Sequence, residues 1–172
     1  MTTLRPFHPL DMLKFNRVNL DKLTETYGFN FYLYYLVNWP EYYQVAEHPN
    51  GDIMGYVMGK AEGQNEDWHG HVTALSVAPA YRRLGLGAKM MTTLEEMSEQ
   101  KNAYFVDLFV RVSNTVAINM YKMLGYVVYR EVIEYYSGQE DENAFDMRKA
   151  LPKDKDKLSV IPLQHPVYAR DL

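Results

Sequence analysis

Short apolar runs alternate with amphipathic stretches along this chain, and the alternation predicts an ordered series of strands and helices. Thr2–Phe7 reads as a first strand stopped by Pro6, and His8–Asn19 as a helix with Pro9 in its first turn and Leu10, Leu13 and Val18 apolar. Phe29–Trp39 is almost wholly aromatic or aliphatic, so it reads as a helix without a polar face. Such a helix is either buried in its own domain or set with one side on the core and the other on a partner protein. Tyr42–Ala46 and Ile53–Gly59 form a hairpin around His48-Pro-Asn-Gly51, whose Asn-Gly pair favours a tight turn. Trp68–Val77 is a strand and Leu86–Lys101 a helix, with Leu86, Met90, Leu94 and Met97 at three- and four-residue spacing. Tyr104–Val110 is a short central strand interrupted only by Asp107. Ala117–Leu124 is a helix capped by Gly125, and Tyr126–Glu134 and Ala144–Lys149 close the series. After Leu151, prolines and alternating Lys and Asp predict a weakly structured tail over 152–172, so the folded domain is expected at 1–151. The order predicts an α/β (α+β) domain with mixed strand pairing.

Composition narrows the possible chemistry. The 172 residues contain no cysteine, which removes disulfides, thiolate metal ligands and thiol nucleophiles. A net charge of -4 argues against a general nucleic-acid-binding module, which needs a basic face. No signal run opens the sequence and no long uncharged apolar stretch follows, so the protein is expected to be intracellular and soluble. No metal is expected.

The most informative segment lies between a predicted strand and a predicted helix. Arg82, Gly85 and Gly87 have the spacing Arg-x-x-Gly-x-Gly within Val77–Ala88. Glycines let backbone approach a ligand, a helix N-terminus offers unpaired N–H groups, and Arg82 or Arg83 adds a phosphate contact. A pyrophosphate cradle is therefore expected across Arg82, Arg83, Leu84, Gly85, Leu86, Gly87 and Ala88. Neither a Walker-type Gly-Lys-Ser/Thr nor Gly-x-Gly-x-x-Gly is present there. The plain structural alternative is a strand-to-helix turn that merely contains two glycines.

Downstream, Asn114, Ala117, Tyr121, Gly125 and Tyr126 fit Asn-x-x-Ala-x-x-x-Tyr-x-x-x-Gly-Phe/Tyr. With the upstream loop, this resembles the two signatures of the GNAT acyltransferase superfamily. Leu23-Thr-Glu-Thr-Tyr-Gly, Trp68–Val77, Val110-Arg-Val-Ser-Asn, Val132-Ile-Glu-Tyr-Tyr and Ile161-Pro-Leu-Gln-His-Pro are similar to catalytic subunits of NatB-type N-terminal acetyltransferases. The resemblance implies the GNAT fold: a mixed sheet of about seven strands, four flanking helices, and acetyl-CoA in a splay between two parallel strands, Val72–Val77 and Tyr104–Val110. It implies acetyl transfer, by direct attack in a ternary complex, to the methionine amine of nascent chains starting Met-Asp, Met-Glu, Met-Asn or Met-Gln. The implied partners are a large helical-repeat (TPR-type) auxiliary subunit, expected against the Phe29–Trp39 helix and the helix before it, and, through that subunit, the ribosome. Direct nucleic-acid and membrane contacts are not expected.

On that resemblance Leu75, Ser76 and Val77 hold the pantetheine, with the Val77 N–H as oxyanion donor. Asn114 and Asn119 are further cofactor candidates, helix capping being the alternative for Asn114. Tyr121 corresponds to the family's general acid, against a packed tyrosine on an apolar helix face. Glu25, His71 and Tyr135 are candidates for the base, an undemanding role because an α-amine with a pKa of about 8 is partly neutral already. His71, Tyr27 and Thr73 are expected to donate to the peptide's second residue. Thr26, Tyr27, Gly28 and Phe29, with Ala74 and Val110, are expected to receive the peptide start, and Tyr135-Tyr136 to cover its backbone. A GNAT acting on lysine or small amines, and a non-catalytic acetyl-CoA-binding scaffold, are the rival readings. Gln64–Asp67 and Ser137–Asn143 carry no assigned role.

Overall fold

A computed structural model describes residues 2–20, 24–138 and 141–172. Leu23, which opened one of the quoted motifs, and residues 139–140 of the Ser137–Asn143 segment lie outside the described residues. The chain forms two compact units, Met1–Ala61 with Val72–Met97, and Glu62–His71 with Ser98–Leu172. The elements are β1 (Thr3–Pro6), α1 (Phe29–Asn38), β2 (Gln44–Glu47), β3 (Ile53–Glu62), β4 (His69–Val77), α2 (Leu86–Gln100), β5 (Phe105–Arg111), α3 (Thr115–Met123), β6 (Val127–Tyr136), β7 (Glu142–Ala150) and β8 (Val167–Tyr168).

In the first unit β1, β2 and β3 make an antiparallel meander, with Arg5 opposite Val45 and Ala46 opposite Gly55. Its core is strongly aromatic: Phe7 stacks on Tyr43 at 3.9 Å, and Phe15 meets Tyr32 and Tyr56 edge-on at 5.2 and 5.3 Å. Gly55 is there for close approach, since a Cβ would come within 2.6 Å of the Ser76 carbonyl oxygen and 3.2 Å of Met90.

Helix α1 turns Tyr32 and Tyr35 into that core and leaves Phe29, Leu33, Tyr34 and Val37 exposed. Of the two readings of this aromatic helix, burial on all sides is therefore excluded. The stretch after Pro9 is a correction. It forms two short 3-10 segments, Pro9–Leu13 and Phe15–Arg17, rather than one α-helix. The Asp11 carboxylate accepts from both Arg5 terminal nitrogens at 2.7 and 2.8 Å and from the His8 N–H at 2.8 Å. That tight capping box fixes the first turn, and Lys14 at φ −115 interrupts the run.

In the second unit β5, β7, β6 and β8 lie in that order. β5–β7 and β6–β7 are antiparallel, placing Asp107 opposite Arg148 and Arg130 opposite Asp146. β8 is a strand the periodicity did not predict, and it brings the count among the described residues to eight. It pairs parallel with β6, Val132 opposite Val167. The tail after Leu151 is thus more structured than its composition suggests. Asp154 accepts from the Leu158 and Ser159 N–H groups at 3.0 and 2.9 Å, holding a 3-10 turn at Leu158–Val160. Three α-helices, not four, are present among the described residues.

Candidate active site

Strand β4 ends at Val77, and residues 78–85 lead into α2 in the first unit. Arg82 Nε donates to the Val77 carbonyl at 3.0 Å, so this arginine pins the loop to the strand it leaves. Arg83 and Gly85 have φ values of 64 and 75, a backbone path that turns successive N–H groups to one side. Helix α2 then begins, its first described bond running from the Lys89 N–H to the Gly85 carbonyl at 3.0 Å. The N–H groups of residues 86–88 consequently open the helix, with the positive end of its dipole behind them. A Cβ at Gly85 would meet nothing within 4 Å, so space exists where a ligand would lie. The segment fits a pyrophosphate.

Gly85→Val should weaken binding of a pyrophosphate-bearing ligand about tenfold or more, because a β-branched residue resists positive φ and its methyls would enter that space. Calorimetric titration with such a ligand would check this, unchanged affinity placing the ligand elsewhere.

The first unit also gathers several of the expected peptide contacts. Tyr27 stacks on Phe31 at 4.3 Å and meets Tyr32 edge-on at 5.8 Å, and Ala74 packs against the same core. The Tyr27 hydroxyl donates to the Thr73 carbonyl at 3.5 Å, the outer limit for such a bond. Thr73 Oγ1 is buried and has no hydrogen-bond partner, an orphaned polar atom of the kind a bound ligand satisfies. A cavity of about 230 Å³ opens among Met12, Phe15, Thr26, Tyr27, Phe29 and Tyr32, with Asn16 and Asn19 on its wall. Gly28 is the N-cap of α1, and Glu25 is half-buried in the segment before it. A larger cavity, about 630 Å³, is lined by Lys14, Arg17, residues 50–53 and 78–81, none of them a residue expected in the site.

The second unit holds His71 and its charged neighbours. His71 Nδ1 lies 2.7 Å from Asp107 Oδ1, and His69 Nε2 lies 3.7 Å from the same oxygen. Burial opposes ionisation of Asp107, but His71, His69 and Arg148 together outweigh it and hold the carboxyl below the usual aspartate range. Asp146 behaves in the opposite way. Burial, reinforced by the charge of Asp107, lifts its carboxyl above the usual range against the pull of Arg148 and Arg130.

On β6, Glu134 takes φ 57 at a register shift between Val132 and Tyr136. Bulges of this kind re-aim the side chains that follow. Tyr135 stacks on Phe109 at 4.5 Å, while Tyr136 donates to the Phe109 carbonyl at 3.3 Å beneath the Arg111 guanidinium. Val110 is buried on β5, next to Phe109.

Helix α3 presents Tyr121, buried and edge-on to Tyr126 at 5.9 Å. Burial pushes its phenol well above the ordinary tyrosine value, so it stays protonated and able to donate at neutral pH. Asn114 Oδ1 accepts from the Ala117 N–H at 3.2 Å, so this oxygen is committed to capping α3. Asn119, two residues before Tyr121 on α3, is exposed. Asp107, His69 and Arg148 were given no role from the sequence, unlike His71, which they surround. Among the described residues no cluster of metal-ligand type is present, and no helix is long and apolar enough to cross a membrane.

Comparison with known proteins is consistent in direction. The model of the acetyltransferase (GNAT) family matches residues 10–126. N-alpha-acetyltransferase 20 of Dictyostelium discoideum is 61% identical, over 99% of this chain and 98% of its own length. The catalytic subunit of the N-terminal acetyltransferase B complex of Arabidopsis thaliana, NAA20, is 57% identical over 100% and 98%. A crystal structure of Chaetomium thermophilum Naa20 in complex with a bisubstrate analogue superposes with a TM-score of 0.92 at 40% identity, covering 98% of this chain and 97% of that one.

Proposed function

The chain belongs to the acetyltransferase (GNAT) family, and from that premise we propose that it acetylates the methionine amine of nascent proteins starting Met-Asp, Met-Glu, Met-Asn or Met-Gln. It is an N-terminal acetyltransferase using acetyl-CoA, of the NatB catalytic-subunit type. The observation that carries the substrate reading is full-length identity of 57–61% with relatives of that name. Three features support it: an orphaned Thr73 hydroxyl, a histidine fixed by a carboxylate, and an aromatic cavity beside Tyr27 and Phe29 suited to a methionine side chain.

In the reaction the neutral amine attacks the thioester carbonyl carbon. A C–N bond forms, the C–S bond breaks, CoA leaves as the thiolate, and the amine sheds one proton to water or a nearby base. The Arg82–Ala88 loop binds the pyrophosphate, and Leu75 to Val77 the pantetheine. The Val77 N–H stabilises the oxyanion, and the Tyr121 hydroxyl donates to the departing sulfur. At pH 7 roughly a tenth of an α-amine with a pKa near 8 is already neutral, so Glu25, His71 or Tyr135 has little work to do as a base. Residues 1–151 form the transferase domain and 152–172 its C-terminal extension. An auxiliary subunit of helical-repeat type docks the enzyme at the ribosome in the cytoplasm, through the outer face of α1.

Acetyl transfer to four peptides tests this, with the chain and its auxiliary subunit purified together. They begin Met-Asp, Met-Leu and Ser-Ser, the fourth offering only an internal lysine behind a blocked N-terminus. Preference for Met-Asp is expected. Activity confined to the lysine peptide would discard the substrate reading, and acetyl-CoA binding without transfer would leave a scaffold.

A further inference from the structure

We propose that Asp107 is a positioning residue for specificity: it anchors His71 through Nδ1 and leaves Nε2 to meet the second side chain of the peptide, as a donor to a carboxylate or an acceptor from an amide. The inference rests on the substrate reading above and deepens it.

Asp107 is the one acid in β5 and is only 4% exposed. A carboxylate buried there would be costly unless held by cations and donors. Across the β5–β7 register it faces Arg148, which lies 3.6 Å over the Tyr129 ring and 4.5 Å over Phe105. Arg148 reaches Asp146 at 3.4 Å, and Asp146, fully buried, also accepts from Arg130 Nε at 2.8 Å. A row of alternating charge therefore crosses three strands, and His71 stands at its end.

The two histidines beside Asp107 are not equivalent. His69 is committed on both sides, with Nδ1 against the Asp67 carbonyl at 2.5 Å and its ring stacked on Phe105 at 4.6 Å. His71 has Nδ1 on Asp107, and no partner of its Nε2 is present among the described residues. A hydrogen bond between a ring nitrogen and a carboxylate requires the proton on that nitrogen, which sets the tautomer. Neutral His71 then offers a lone pair at Nε2, and protonated His71 an N–H at the same point in space. One atom thus answers both aspartate-type and asparagine-type side chains, which share a shape and differ in what they donate. The charged and titratable groups around the ring are Asp107 on β5, His69 on its own strand, Glu62 near His69, Tyr135 behind Phe109, and Arg148 on β7.

The test uses the two-subunit complex with Met-Asp and Met-Asn peptides at neutral pH, and its readout is the ratio of kcat/KM, Met-Asp over Met-Asn. Asp107→Asn should lower that ratio about tenfold at neutral pH, the difference between a charge-assisted and a neutral hydrogen bond. It should add nothing to the ratio in a His71→Gln background, and the acetyl-CoA KM should hold. An equal fall on both peptides, or a shift of the ratio that persists without His71, would make Asp107 merely structural and overturn the inference. Nitrogen NMR of ¹⁵N-histidine in the wild-type complex reads the tautomer without any substitution. Protonation at Nδ1 of neutral His71 is expected, and the opposite tautomer would overturn the inference. If the wild type acetylates neither peptide, the substrate reading falls first and takes this inference with it, a result separate from an unchanged ratio on two good substrates.

Discussion

Tyr121→Phe is expected to lower kcat about a hundredfold while acetyl-CoA affinity stays within about twofold. The variant removes one oxygen from a buried ring and leaves its edge-on packing with Tyr126 intact, so the fold of α3 should survive. The direction of the pKa shift narrows what the oxygen does. Burial raises the phenol above its ordinary value near 10, whereas a thiol sits near 8.5, so complete proton transfer to a fully formed thiolate is uphill. The hydroxyl's contribution is then a hydrogen bond that strengthens as charge grows on sulfur, placing the expected loss at the low end of general-acid effects, roughly 10² rather than 10⁴. Single-turnover transfer beside calorimetric titration with acetyl-CoA separates the two quantities. Unchanged turnover would reduce Tyr121 to a packing residue.

Tyr34→Asp with Val37→Asp should weaken assembly with the auxiliary subunit about a thousandfold, from roughly 2 kcal/mol at each central interface position. Val37 is 77% and Tyr34 56% exposed, and Phe29 and Leu33 continue the same stripe along α1. Both substitutions leave Tyr32 and Tyr35 in the core, so acetyl-CoA binding by the chain itself should persist. Co-purification and sedimentation measure the loss. An intact complex would move the interface elsewhere. The solubility of the double variant alone should rise, since an apolar stripe becomes charged.

Much of this architecture was legible in the residues because it rests on local chemistry. Helix α2 was expected at Leu86–Lys101 and is found at Leu86–Gln100, since four apolar side chains at helical spacing leave little choice. Gly125, with φ 93, ends α3 where a left-handed cap was expected. What could not be read depends on contacts distant in sequence. The 3-10 turns after Pro9 follow from Arg5 gripping Asp11, a pairing that no periodicity signals. β8 is two residues long, too short to show alternation. Asp107 registered only as a flaw in an apolar strand. Its meaning comes from Arg148 and His71, 41 and 36 positions away in sequence respectively. One signal did exist: a lone acid inside a buried strand must find cations, and His69 and His71, at alternate positions, share one face of β4.

The path of the chain carries a consequence for synthesis. It enters the second unit at Glu62, returns to the first at Val72, and re-enters the second at Ser98. The first unit can therefore be completed once Met97 has left the ribosomal tunnel. The short segment bearing His69 and His71 is made long before most of the strands it belongs with. About a hundred residues separate it from β8, the last strand of its unit, on the order of 5–20 s at 5–20 residues per second. For that interval the histidines have no finished unit to join, and a chaperone or the auxiliary subunit acting on the emerging chain meets the start of β4 still waiting.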